Sequence, residues 1–140
     1  MRNRRGLIGA ASAGVLLATL ALGSHAEAGA GDGLHLALKE SRPMADSTVA
    51  VAPTEIRLLF TEAPQVGGTS IRLMTPDSTL IPAKKPIADP EDDTVLLTTI
   101  DGPIAPGSYL VVWRAMAADG HVVNGDYRFE FRPGDARERR

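Results

Sequence analysis

Alternation of apolar and polar residues with a period of two constrains this chain more than any other feature. Ile56, Leu58 and Phe60 alternate with Arg57, Leu59 and Thr61, and Ile71 and Leu73 with Arg72 and Met74. Tyr127, Phe129 and Phe131 alternate in the same way with Arg128, Glu130 and Arg132. Successive side chains of an extended strand point to opposite faces, so each run is a strand with one face on a core and one toward water. "GSYLVVWRAMA" differs: Tyr109, Val111, Trp113 and Ala115 make one face apolar, and Leu110, Val112 and Met116 do the same for the other. A strand covered on both sides is a central one. Turn chemistry separates the runs at Pro53, Gly67-Gly68, "TPDS", "PEDD", Asp101-Gly102-Pro103 and Pro106-Gly107. No helical period survives for three turns. About seven short strands in about 100 residues predict an all-β antiparallel sandwich of the immunoglobulin-like kind, with Trp113 anchoring its core. Residues 76–93, with Pro76, Pro82, Pro86 and Pro90, are expected to form the longest irregular connection.

The first 28 residues have a different composition. Arg2, Arg4 and Arg5 precede an apolar run from Leu7 to Leu22, the pattern of a secretory signal peptide. Small residues at Ser24 and Ala26, or at Ala26 and Ala28, offer cleavage after Ala26 or after Ala28, and the second is preferred. The run is shorter than the about 20 apolar residues that cross a bilayer. The expected organisation is therefore a signal peptide over residues 1–28, a short segment over 29–34, a β-sandwich domain over 35–133 and a charged tail over 134–140. After signal removal no stable membrane insertion is expected, and export to the periplasm fits. The chain has no cysteine, so neither a disulfide framework nor thioether-linked lipid can hold it, and packing alone must. Of 15 basic and 17 acidic residues, the signal takes three arginines and one glutamate, leaving 12 against 16. That balance argues against nucleic acid or an anionic membrane as partner.

A sandwich carries no chemistry by itself. No cysteine nucleophile, glycine-rich phosphate loop or Gly-x-Ser-x-Gly elbow is present, and His35 and His121, the histidines left after signal removal, have no spacing that marks a hydrolytic triad. Two imidazoles and a carboxylate can instead hold a divalent metal. In an extended segment Asp119 and His121 share a face roughly 6.5 to 7 Å apart, and Gly120 lets the backbone bend between them. Imidazole with carboxylate suits Cu(II), Zn(II) or Ni(II) better than Ca(II) or Mg(II). On spacing alone the same residues also read as an ordinary Asp-Gly turn followed by a solvated histidine.

The run "YLVVWRAMAADGHVVNGDYRFEF", residues 109–131, resembles the closing strands of the CopC family of periplasmic copper-binding proteins. The shared pattern is a tyrosine, a Trp-Arg pair, Asp-x-His and a glycine before an aromatic strand. "HLALKESRP", residues 35–43, is similar to the opening motif of that family, and "VAPTEIRLLFTEAP", residues 51–64, to its next strand. The resemblance covers roughly residues 35 to 132. It implies a single Greek-key β-sandwich or barrel that binds Cu(II) at one end, with His35, Asp119 and His121 as ligands. In the family the first histidine is the mature N-terminus, whose amine also binds copper. Cleavage before His35 would put Leu34 and Asp32 at the −1 and −3 positions, against the small-residue rule. Met44, Met74 and Met116 are scattered, so no soft Cu(I) site is expected. Arg114 is expected to pair with a carboxylate, Asp119 or Glu62.

The function implied is that of a non-enzymatic periplasmic Cu(II) carrier or buffer in copper resistance and homeostasis, with the copper ion as ligand and a membrane copper transporter as a further partner. The alternative is a metal-free immunoglobulin-like interaction module that kept the fold without high-affinity binding. A copper monooxygenase is a third reading, disfavoured because Asp119 would fill the copper plane and no substrate cleft is evident in the sequence.

Overall fold

A computed structural model describes residues 35–134. The signal peptide expected over 1–28, the segment 29–34 and the tail beyond Gly134 lie outside the described residues. Among the described residues there are nine strands: β1 Leu38–Arg42, β2 Ser47–Val49, β3 Glu55–Phe60, β4 Ser70–Met74, β5 Leu80–Ile81, β6 Ile87–Ala88, β7 Val95–Thr99, β8 Gly107–Met116 and β9 Val122–Phe131. They form two sheets, one ordered β1-β3-β7-β6 and the other β2-β9-β8-β4-β5. All pairings are antiparallel except β2 with β9. The chain changes sheet between β1 and β2, β2 and β3, β3 and β4, β5 and β6, and β7 and β8, so the expected β-sandwich is present. No helix among the described residues is long and apolar enough to cross a membrane.

The alternating runs bury the faces that their periodicity indicates. Ile56, Leu58 and Phe60 of β3 and Leu96 of β7 face Ile71 and Leu73 of β4, Tyr109, Val111 and Trp113 of β8, and Tyr127, Phe129 and Phe131 of β9 in one continuous core. Strand β8 lies between β9 and β4, central in its sheet as expected, but only its Tyr109, Val111, Trp113 and Ala115 face is buried; Leu110, Val112 and Met116 are half-buried on the outer face, which no second layer covers among the described residues. Trp113 is 7% exposed and meets Phe60 across the sheets edge to face, ring centres 5.5 Å apart. Tyr109 stacks on its cross-strand partner Phe129 at the same separation. Each such aromatic pair adds roughly 0.5–1.5 kcal/mol beyond the area it buries.

Three differences from the sequence reading have physical causes. Residues 122–125, outside the alternating run that begins at Tyr127, are the first part of β9, because pairing from Met116 with Val122 to Gly107 with Phe131 runs the full length of β8. Cross-strand hydrogen bonding there overrides the weak strand preference of Asn124 and Gly125. The proline-rich segment 76–93 contains β5 and β6, each two residues long; prolines at 82, 86 and 90 lack the amide that a longer ladder would use. Arg114 pairs with neither Asp119 nor Glu62: its guanidinium donates to the carbonyl oxygen of Gly68, because it lies on the outer face of β8 beside β4, where Ser70 is its register partner.

Candidate metal centre

The tip of the β8–β9 hairpin is residues 117–121. Ala117 N–H donates to His121 O at 2.8 Å, and Gly120 N–H donates to Ala117 O at 2.9 Å. Gly120 has φ +89°, a left-handed conformation that a side chain at Cβ disfavours, and this closes a short hairpin loop with glycine at the left-handed position. The Asp119 carboxylate holds the turn from inside. One oxygen accepts the His121 amide at 3.0 Å and the other meets His121 Nδ1 at 2.7 Å. The amide bond and then the ring contact draw the Asp119 carboxyl below its ordinary range, and Asp119 in turn raises the His121 imidazole. With Nδ1 engaged, Nε2 is the ring nitrogen left to face outward. Both side chains are open to solvent, at 65% and 86% exposure.

His35 reaches the same end of the sandwich from the opposite terminus of the domain. Its carbonyl accepts the Thr61 hydroxyl at 2.7 Å, and that hydroxyl oxygen accepts the Ala37 amide at 2.9 Å. Thr61 N–H donates to Ala37 O, also at 2.9 Å. Four residues on, Gln65 grips the hairpin tip. Its backbone N–H donates to Met116 O at 2.7 Å, and its side-chain amide donates to the carbonyls of Ala117 and Ala118 at 2.7 and 3.2 Å. Residues 61–65 thus tie the entry of β1 to the exit of β8. The sequence marks neither Thr61 nor Gln65 as special, since their partners are backbone atoms far along the chain.

His35, Glu62, Asp119 and His121 line one open depression, floored by Leu36, Ala117, Val122 and Val123. Asp119 and His121 touch, whereas His35 shares the depression without closing on them. Among the described residues no three His, Asp or Glu side chains converge closely enough to hold one ion. The donor set of two imidazoles and a carboxylate suits Cu(II) in a tetragonal arrangement. The three methionines of the domain lie apart: Met44 is exposed, Met74 is half-buried on β4, and Met116 covers Gly68.

The comparisons with known proteins agree with this architecture. Residues 38–132 match the CopC domain. Over 104 residues the chain is 36% identical to Copper resistance protein C of Escherichia coli, covering 68% of this chain and 79% of that one. Protein YobA of Escherichia coli strain K12 is 31% identical over 98 residues, 68% of this chain and 77% of its own. Among solved structures, CopC from Methylosinus trichosporium OB3b superposes with a TM-score of 0.66 at 27% identity, covering 72% of this chain and 97% of that one. PcoC, titled a methionine-rich copper resistance protein from Escherichia coli, superposes with a TM-score of 0.62 at 32% identity, over 70% and 99% of the respective chains. With a sandwich of this topology and a domain match across nearly all of its described residues, the chain belongs to the CopC domain family.

Proposed function

We propose that this protein is a periplasmic Cu(II) carrier or buffer in copper resistance, that His35, Asp119 and His121 bind the ion, and that it acts without catalysing a reaction. The observation that carries the proposal is the shared depression at one end of the sandwich, where both histidines and the carboxylate lie on segments tied together by Thr61 and Gln65. Kinship with proteins named for copper resistance supports the choice of metal. The histidine rings are exposed side chains on anchored backbones, free to turn into the depression they share. An open rim also suits release of copper to a membrane transporter, the partner this reading implies.

The separation of His35 from the Asp119–His121 pair favours one competing reading, a metal-free interaction module. Copper titration followed by electron paramagnetic resonance separates the two. In the carrier, nitrogen coupling from two rings is expected, and His121→Ala weakens binding at least about tenfold, or about 1.4 kcal/mol. His35→Ala matches that loss if both rings share one ion. Unchanged affinity in the double variant would eliminate the carrier and leave the interaction module. The mature mass of the exported protein shows in addition whether the amine of His35 is free to join the ion.

A further inference from the structure

A groove on another part of the surface has no role in metal binding. Strand β5 pairs with β4 only at Leu73 with Ile81 and at Met74 with Leu80. The chain then leaves β4: Ala83 bridges to Ile100, Lys84 N–H donates to Thr99 O at 2.8 Å, and Asp101 N–H donates to Pro82 O at 2.9 Å. Residues Ser70–Arg72 stay paired with β8 on one side and have no strand partner on the other. A wedge opens between this half-edge of β4 and residues 83–86, with Val66 and Gly67 at one end.

The wedge is basic in a protein that is otherwise acidic. Arg72, Lys84 and Lys85 line it together with Thr69 and Ser70, and no carboxylate does. Among the described residues none of the three cations has an acidic partner; Arg42, Arg57 and Arg132 are paired with Glu40, with Glu55 and Asp89, and with Glu130, while Lys39, Arg114 and Arg128 also lack a carboxylate but do not line the wedge. An unpaired strand edge is a template for an extended chain, which gains main-chain hydrogen bonds from the edge and selectivity from alternate side chains. Unpaired cations beside such an edge select for carboxylates.

We propose that the half-edge of β4 receives an extended, acidic peptide segment of a partner protein, which adds a short strand at Ser70–Arg72 and places its carboxylates against Arg72, Lys84 and Lys85. Gln65, adjoining Val66 at the end of the wedge, grips the hairpin tip, so a docked partner lies beside the loop that carries Asp119 and His121. Docking at this edge does not depend on copper, because neither the edge nor the cations belong to the proposed metal centre.

The test titrates the full chain, followed by backbone amide NMR, with a capped peptide of about ten residues alternating glutamate and threonine, since alternate residues of a strand share a face. Shifts are expected at Thr69–Arg72 and at 83–85, with binding that weakens as salt rises. Combined Arg72→Ala, Lys84→Ala and Lys85→Ala substitution should reduce affinity at least about fivefold, in line with the loss of three exposed charge pairs. A peptide methylated at alternate backbone nitrogens should bind more weakly than its parent, because it cannot complete the edge pairing. Equal binding of the methylated peptide, or shifts spread over Arg128 and Arg132 instead of the wedge, would overturn the proposal. So would the same amide shifts with phosphatidylglycerol vesicles in place of the peptide, or with the protein's own concentration alone, because a lipid surface or a second copy would then be the occupant.

Discussion

Trp113 and His121 belong to one hairpin but are held in different ways. Around Trp113 the structure is redundant: the ring meets Phe60 from the opposite sheet, lies across Gly125 of the neighbouring strand, and takes part in a core that joins both sheets. At the tip, His121 rests on a single carboxylate in open solvent, and His35 rests on one threonine through its backbone. Removing one contact from the first region leaves many others. In the second it releases the side chain. The sandwich can therefore keep its shape while the side chains proposed as ligands move, as the proposed uptake and release of an ion would require.

The largest expected effect tests the redundant region. Trp113→Ala should cost about 3–5 kcal/mol, the range for aromatic truncation in a core, read from the denaturant midpoint. A loss under about 1 kcal/mol would place the ring outside the cooperative core and remove the contrast with the tip. Next comes Gly125→Ala. A Cβ there would lie 2.5 and 2.7 Å from Cζ2 and Cε2 of Trp113, so the indole must shift, at a cost of about 1–3 kcal/mol for an overpacked core. Because the strain is mutual, Gly125→Ala combined with Trp113→Leu should cost less than the two changes separately. Additive costs in that double-mutant cycle would show that Gly125 is small for some other reason.

The same contrast explains what could be read from the sequence. Burial at period two left its mark on β3, β4 and β9, and continuous apolarity marked β8, because hydrophobic patterning is the part of a fold that composition encodes locally. The parallel pairing of β2 with β9 left none, since it depends on a three-residue strand meeting residues far along the chain. Arg114 illustrates the limit: a cation on a mostly apolar strand suggested a carboxylate partner, yet the register of β8 with β4 delivered it to a backbone carbonyl. Asp119 and His121 were visible as a pair two residues apart. Their joining with His35 rested on resemblance, and Thr61 and Gln65, which bring the segments to one end, could not be found from residue type.

The smallest effect sharpens the other half of the comparison. Asp119 raises the His121 imidazole and is itself lowered, so the charged pair contributes to the tip between Asp119's depressed value and His121's elevated one. The His121 contribution is fully present below the ordinary histidine value of about 6.5 and is lost as pH rises through the folded value above it. The Asp119 contribution is present above the ordinary carboxylate value and is lost as pH falls through the depressed one. Both groups are exposed and screened, so global stability should barely respond. Copper should respond more, because a protonated ring cannot coordinate: affinity should begin to fall, as pH decreases, above 6.5 and not at it. Asp119→Asn removes the charge that raises His121, so the titration of the ring protons by NMR should move down toward the ordinary value, and the loss of copper affinity should move with it. Comparing affinities at a pH above the His121 titration measured in each protein, where the ring is neutral in both, then assigns Asp119 its part. A lower affinity in the variant identifies the carboxylate as a ligand, and an unchanged one identifies it as the group that holds Nδ1 and turns Nε2 outward. An unmoved His121 titration would mean that the 2.7 Å contact is not maintained in solution, leaving the tip as loosely held as His35.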